Sequence, residues 1–213
     1  MERVVTIIIN MKGSDYVDSA NTAFGTDYSS KWNKPMYQKN EEFLRIKDLY
    51  GNMSLKREMI IDLFKQGKYF DGFLCAMVWG NMGTYRGGAN RFNSVFDDSN
   101  KDKINRVVEL VRSGDVEKAY LSLCDKTQNG IKGLGEAFFT KLLYFAGASQ
   151  DLKPMPLIYD SKMRIVYKKI LSILGQNPPR GAFERYWDYY TKMEELRSLL
   201  NLPTAGHVEA LLF

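Results

Sequence analysis

The sequence predicts an all-α, mostly helical protein, and three observations support this fold class. Successive segments from residue 41 onward carry apolar residues at helical spacing. Only residues 1–10, which contain a continuous apolar run, have the pattern of a strand. The 213 residues are 45% hydrophobic and 26% charged, as is typical of globular proteins. We therefore expect a single domain over residues 1–213, built either as one unit or as two helical lobes.

The predicted elements follow from the spacing of the apolar residues. Residues 11–40 are rich in Ser, Asp, Asn, Gly and Tyr, which predicts mainly loop with one short helix. Residues 80–93 contain four glycines and predict a loop that is mobile or that approaches another group closely. Helices are predicted over residues 41–49, 55–65, 68–79, 100–112, 116–124, 136–146, 161–174, 182–201 and 206–213.

The scarcity of metal ligands excludes several kinds of site. The chain has two cysteines, Cys75 and Cys124, and one histidine, His207, which are too few for most zinc and iron–sulfur sites. His207 lies beside an apolar stretch near the carboxyl end, which favours a packing or surface role over catalysis. We therefore expect neither a metal nor a cofactor.

Composition also bounds the compartment and the partners. Both cysteines lie in apolar segments, which predicts buried thiols in a reducing, intracellular compartment. The pattern of a secretory signal and an apolar run of ~18 residues are both missing, which predicts no membrane association. The net charge of +5 permits a polyanionic partner without requiring one. We expect a cytoplasmic protein, nucleoid-associated in a prokaryote.

Residues 131–137, IKGLGEA, lie between two predicted helices. Two glycines flanking an apolar residue predict a tight hairpin at a helix N-terminus, where the amides and the helix dipole favour an anion such as a backbone phosphate. The sequence thus predicts a helix-hairpin-helix element over residues 116–147. Taken alone, the motif is better explained as an ordinary interhelical turn with Leu134 in the core.

Lys141 lies within an apolar helical segment. Its neighbours one helical turn away are Ala137, Phe138, Tyr144 and Phe145. Lysine rarely occupies such a position. One interpretation is a lysine whose stem packs while its ammonium group reaches water. The other is an amine whose pKa is lowered by desolvation, so that a neutral nucleophile is available near neutral pH.

Asp160 follows a proline-containing apolar segment and immediately precedes the helix predicted at residues 161–174. This is the N-cap position, where helix amides hold a carboxylate ionised and fix its direction. By itself the residue is explained as a capping aspartate worth about 1 kcal/mol. In combination with the hairpin and Lys141, residues 148–160 resemble the catalytic Asp loop of the helix-hairpin-helix DNA glycosylases.

The hairpin, the lysine and the aspartate, in this order over residues 127–166, resemble the helix-hairpin-helix (HhH-GPD) DNA glycosylase superfamily. In the archaeal 8-oxoguanine DNA glycosylase branch and the bacterial OGG-like proteins, a Phe-x-x-Lys-x-x-Tyr helix carries the lysine. Residues 138–145, FFTKLLYF, match that helix, and residues 156–160, PLIYD, match the Asp loop. Other 8-oxoguanine glycosylases have the lysine where this chain has Ala137. The chain also departs from the family at Lys132, often a proline, and at Phe139, usually a small residue.

The resemblance implies a two-lobed fold and a DNA glycosylase with AP lyase activity. Lys141 would attack the sugar C1′ of a flipped nucleotide, expel the base and form a Schiff base that permits strand cleavage. Asp160 would stabilise positive charge on the sugar and assist proton transfers. Because an ionised Asp160 nearby would raise the lysine pKa, the apolar surroundings must prevail. The implied partner is double-stranded DNA with a damaged or modified base, foremost 8-oxoguanine, bound by a monomer.

Further candidates concern DNA binding and base stacking. The DNA-binding candidates are Lys132, Gly133, Leu134, Gly135 and Arg86, the last lying in the glycine-rich loop with Tyr85 and Arg91. The base-stacking candidates are Trp79, Trp187 and Phe213, although such aromatics more often belong to the core. A basic face or simply the polar side of a helix is formed by Lys162, Arg164, Lys168 and Lys169.

Two alternative functions stay open from the sequence. The first is a glycosylase of the same chemistry that acts on another modified base, for example a hypermodified phage base in antiphage defence. The second is a non-catalytic helix-hairpin-helix DNA-binding module, in which Lys141 has no chemical role. Pocket contacts set the base preference, and the sequence does not reveal them.

Overall fold

The computed structural model describes residues 1–13, 15–25, 35, 37–51, 55–80, 88–124 and 130–212. Its α-helices, numbered in chain order, are α1 Glu2–Lys12, α2 Tyr16–Gly25, α3 Glu41–Tyr50, α4 Arg57–Lys65, α5 Tyr69–Trp79, α6 Gly88–Val95, α7 Lys101–Arg112, α8 Val116–Leu123, α9 Glu136–Ala148, α10 Ser161–Leu174, α11 Ala182–Leu199 and α12 Ala205–Leu212. Short 3-10 turns occupy Tyr37–Lys39 and Asp98–Asn100. No strand occurs in the described ranges, so the predicted all-α class is confirmed.

The chain divides into two compact units. The smaller unit comprises Met1–Thr26 and Tyr159–Phe213 and contains α1, α2 and α10 to α12. The larger unit, Asp27–Ile158, contains α3 to α9. Lys141 therefore belongs to the larger unit, and Asp160 belongs to the smaller one.

Two central helices, α5 and α9, form the core of the larger unit. The residues from Gly72 to Trp79 in α5 and from Phe139 to Gly147 in α9 are all buried. Helix α5 packs against α3, α4, α7 and α9, and α9 also packs against α4, α7 and α8. A helix that is apolar on every side is a core helix, so Lys141 is interior because it lies within the buried stretch of α9.

The smaller unit is built around tyrosines of α10 and α11. Helix α12 contacts α2, α10 and α11, while α1 contacts α2, α10 and α11. Tyr159, Tyr167, Tyr186 and Tyr189 are each at most 3% exposed. Asp160, the N-cap of α10, therefore directly follows a residue of this aromatic core.

The structure corrects the interpretation of the first ten residues. They form helix α1 and not a strand, with Val4 and Ile8 buried one turn apart and Ile9 37% exposed. The apolar run fits either element, because consecutive branched residues are compatible with a buried strand as well as with a helix. Burial at i and i+4 shows that one helical face packs against the unit.

A second correction concerns residues 80–93, for which the sequence predicts a loop. Helix α6, Gly88–Val95, occupies the last part of that segment, while residues 81–87 lie outside the described ranges. Phe92 and Val95 are completely buried, and Phe92 packs against Phe43 with ring centroids 5.3 Å apart. Burial of this aromatic face outweighs the low helix propensity of the glycine and asparagines in α6.

The cysteines and the histidine have structural surroundings. Cys75 is buried, and burial raises the pKa of its thiol above the ordinary value. Cys124, the C-cap residue of α8, is only partly buried, so the prediction of a buried thiol is wrong at this position. His207 lies with Nδ1 2.8 Å from the Thr204 hydroxyl at the start of α12.

Of the described helices, none has the length and apolar character needed to cross a bilayer.

Candidate active site

The hairpin loop between α8 and α9 closes with a turn from Ile131 to Leu134. The Leu134 N–H donates to the Ile131 carbonyl at 3.0 Å, and Gly133, the third residue of the turn, has φ +96°. A positive φ at this position strongly favours glycine. Ile131 and Leu134 are 1% and 2% exposed, whereas Lys132 is exposed. The apolar residues thus anchor the loop, while Lys132 reaches solvent.

Gly135 is the N-cap residue of α9. The Gly135 carbonyl accepts from the N–H groups of Phe138 at 2.8 Å and Phe139 at 3.1 Å, and no side chain caps the helix. An added Cβ at Gly135 would meet no atom within 4 Å, so the backbone is open to a ligand. This arrangement can bind a phosphate through helix amides, and the DNA contacts of Lys132, Gly133, Leu134 and Gly135 stay predictions.

A buried contact ties the two helices of the hairpin together. Tyr120 of α8 donates a hydrogen bond to the Glu136 carboxylate at the start of α9. The Tyr120 ring also meets Phe139 edge-on, with centroids 5.0 Å apart. Phe139 occupies the position that is usually small in the family, and its ring is accommodated by this contact with α8.

Lys141 is buried on the inner face of α9. Only 5% of the residue is exposed, and Nζ donates to the Ala137 carbonyl at 2.8 Å. Nζ also lies 5.6 Å from the centroid of the Phe138 ring. The amine therefore turns back along its own helix, in contrast to a lysine whose head extends into water. A neutral amine can donate to the Ala137 carbonyl through a hydrogen and keep its lone pair for attack on carbon.

Gly80, which ends α5, faces the stem of Lys141. An added Cβ at Gly80 would lie 2.4 Å from Lys141 Cε and 2.7 Å from Cδ. A φ of −74° is available to any residue, so the backbone conformation does not require glycine here. The close approach of the Lys141 stem is what requires it. The sequence predicts that residues 80–93 are a loop that is mobile or approaches another group closely, and it does not indicate Lys141 as that group.

An arginine that the sequence analysis missed lies near the same helices. The Arg57 guanidinium lies 5.3 Å from the Trp79 ring centroid and 5.8 Å from that of Tyr144. Trp79 is 6% exposed and also meets Phe145 edge-on at 5.4 Å. These contacts favour a packing role for Trp79. The sequence does not indicate a role for Arg57, because a polar residue is ordinary at the start of an amphipathic helix.

Asp160 caps helix α10 with a single carboxylate oxygen. Oδ1 accepts from the N–H groups of Lys162 at 2.9 Å and Met163 at 3.0 Å. Among the described residues no donor bonds to Oδ2. The structure therefore confirms the N-cap geometry and assigns it to one oxygen, so that the second oxygen is available for another group.

The remaining candidates have different surroundings. Trp187 is 38% exposed on α11 and stacks between Phe183 at 5.8 Å and Tyr190 at 5.1 Å. Arg164 lies over the Tyr159 ring at 5.3 Å, whereas Lys162, Lys168 and Lys169 are exposed. The side chains of Tyr85, Arg86, Arg91 and Phe213 lie outside the described residues.

Comparison with known proteins identifies the family. Residues 21–213 match the model of the family described as putative 8-oxoguanine DNA glycosylase OGG-like protein. No curated protein and no solved structure matches the chain. The matched region contains the hairpin, Lys141, Gly80 and Asp160 and covers most of the sequence. The chain belongs to the OGG-like family of DNA glycosylases.

Proposed function

We propose that this glycosylase excises 8-oxoguanine from duplex DNA and then cleaves the strand as an AP lyase, with Lys141 as the nucleophile. The observation that carries the proposal is the burial of the Lys141 amine, which is 5% exposed and bonded to the Ala137 carbonyl. Burial disfavours the charged ammonium form, and the neutral form is the nucleophile. The family supports base excision, and the lysine supports the lyase step.

In the first step the lone pair of Nζ forms a bond to C1′ as the bond from C1′ to the base breaks. The departing base takes the bonding electrons, and one of the two protons on the now positively charged nitrogen is transferred to the base. The sugar ring then opens: the nitrogen lone pair forms a double bond to C1′ as the bond from C1′ to the ring oxygen of the sugar breaks. The remaining proton on nitrogen passes to that oxygen, which leaves a Schiff base between Lys141 and C1′. Loss of a proton from C2′ finally expels the 3′ phosphate, which breaks the strand by β-elimination. No outside oxidant or reductant is consumed.

Asp160 has the complementary role of stabilising positive charge on the sugar as the base departs. Electrostatic stabilisation of this kind is most effective when the group is already oriented. The two amide bonds to Oδ1 orient the carboxylate, and Oδ2 carries no bond from the described residues. We assign Oδ2 to the sugar and to proton transfer.

The decisive experiment is borohydride trapping on a duplex containing 8-oxoguanine. Borohydride reduces the Schiff base to a stable amine, so wild-type protein should become covalently attached to DNA. Lys141→Gln should give no adduct while still binding DNA. Lys101→Gln is a matched control, because Lys101 is a helical lysine with 55% side-chain exposure.

The outcomes separate the candidate functions. Adduct formation on another modified base but not on 8-oxoguanine would keep the chemistry and change the substrate. Adduct formation by Lys141→Gln would show that Lys141 is not the nucleophile that forms the Schiff base. Binding without an adduct on every base tested would favour the non-catalytic DNA-binding module.

A further inference from the structure

Tyr159, the residue before Asp160, is held in a cage of aromatic rings. Its ring centroid lies 4.8 Å from Tyr189, 6.1 Å from Tyr167 and 6.2 Å from Tyr186. The Arg164 guanidinium lies 5.3 Å from the same ring. Tyr159 is 3% exposed, so these contacts hold its ring in the interior.

The cage is fixed in turn by a buried carboxylate. The Tyr189 hydroxyl donates a hydrogen bond to Oε1 of Glu209 in α12. Glu209 is 9% exposed and Tyr189 is completely buried. A buried acid costs free energy unless it is hydrogen-bonded, so the bond from Tyr189 stabilises Glu209 in the interior.

We propose that Glu209 and Tyr189 are positioning residues for Asp160. Glu209 fixes the Tyr189 hydroxyl, the Tyr189 ring fixes the Tyr159 ring, and the Tyr159 backbone leads directly into the cap at Asp160. This inference rests on the proposed function, because it assigns the pair to the step in which Asp160 acts.

The physical reason is that the cap alone does not fix the position of Oδ2 of Asp160. Two amides fix Oδ1, but rotation of the carboxylate about that anchor and movement of the preceding backbone would still shift Oδ2. Anchoring Tyr159 restrains the chain on the side that the helix does not hold. Burial and the Glu209 carboxylate raise the pKa of Tyr189 well above the ordinary value, and Asp160 contributes to the same increase. The phenol therefore remains a donor.

The pair should affect base excision more than cleavage of an existing abasic site. Excision needs Asp160, because positive charge develops on the sugar as the base departs. An abasic sugar already presents an aldehyde in its open form, so addition of the Lys141 amine has no base to expel. The ratio of the two single-turnover rates therefore reports on Asp160 and is insensitive to the amount of folded protein.

The test compares this ratio in four variants. Tyr189→Phe, which removes only the hydroxyl, should lower the excision rate about tenfold, since small displacements from the reactive geometry are costly. Its abasic-site cleavage rate should stay near that of wild type. Glu209→Gln should keep most of the wild-type excision rate, because its amide oxygen still accepts from Tyr189. Tyr159→Leu should reproduce the selective loss while keeping the hydrogen bond from Tyr189 to Glu209, which covers the case in which Tyr189→Phe does not fold.

The control is Tyr16→Phe. Tyr16 lies in the same unit and donates its hydroxyl to the Leu200 carbonyl at 3.2 Å, so this variant also removes one tyrosine hydrogen bond. It should leave the ratio of rates unchanged. An active wild type whose Tyr189→Phe and Tyr159→Leu variants keep the ratio, or lose both rates equally, would overturn the inference alone. A wild type with neither activity would overturn the proposed function and this inference with it.

Discussion

Replacement of Gly80 by alanine tests whether the position of the Lys141 side chain is essential. The new Cβ would lie 2.4 Å from Lys141 Cε, whereas ordinary contact begins at 3.4 Å, so the stem must recede by about 1 Å. The Ala76 carbonyl oxygen, at 3.2 Å, leaves little room for the Cβ to move away instead. The lysine stem is the movable partner, and its displacement would disturb the 2.8 Å bond from Nζ to the Ala137 carbonyl.

The expected effect of Gly80→Ala is a selective loss of chemistry. A displacement of about 1 Å from the reactive geometry costs on the order of 100-fold in rate. The fold should persist, because φ −74° and ψ 9° are available to alanine. Replacing glycine by alanine also lowers the conformational entropy of the unfolded chain, which stabilises a protein by about 0.4–1 kcal/mol. This gain offsets part of the free energy of folding that is lost to crowding against Lys141.

The measurements are the single-turnover rate of borohydride trapping, the affinity for intact duplex and the melting temperature. Gly80→Ala should lower the trapping rate about 100-fold and leave the affinity unchanged. Gly135→Ala is the matched control, because its Cβ meets nothing within 4 Å and its φ is −73°. That control should weaken DNA binding but keep the trapping rate at saturating DNA. A wild-type trapping rate in Gly80→Ala would refute the assignment of Lys141 as nucleophile.

Two further predictions separate binding from catalysis. Asp160→Asn should keep the melting temperature, since an amide oxygen can accept both cap bonds, and should lose base excision; Asp160→Ala should also lose about 1 kcal/mol of stability. Wild-type excision by Asp160→Asn, measured in single turnover, would reduce the residue to a helix cap. Lys132→Ala should lower the slope of log affinity against log salt concentration by about 0.9, as expected for one lost phosphate contact. An unchanged slope in binding titrations would show that the exposed Lys132 does not contact the backbone.

Much of the fold could be predicted from the sequence because its helices carry strong local signals. Helix α10 begins and ends at the predicted residues, since an aspartate cap precedes it and Gly175, at φ 65°, terminates it. Helix α1 was misread because its local pattern fits two elements and only the neighbouring helices decide between them. Helix α6 was missed because the buried Phe92 stabilises it through tertiary contacts.

The candidate site shows the same division between local and tertiary information. Residues 131–135 and Asp160 follow from turn and cap chemistry, which operates over a few positions in the sequence. The contact of Gly80 with Lys141 joins residues 61 positions apart, and the stacking of Arg57 over Trp79 and Tyr144 joins three helices. Such contacts depend on how α4, α5 and α9 pack, so no periodicity in one segment could reveal them.

The two proposed catalytic groups differ in how their structural and chemical roles are combined. Asp160 divides its roles between two oxygens, because Oδ1 accepts the cap bonds and Oδ2 has no donor among the described residues. Lys141 has a single nitrogen, so its structural contact with Ala137 must be made by a hydrogen while the lone pair stays available. Burial penalises the charged ammonium form relative to the neutral amine. The proposed role of Lys141 as nucleophile therefore depends on the burial of α9 from Phe139 to Gly147.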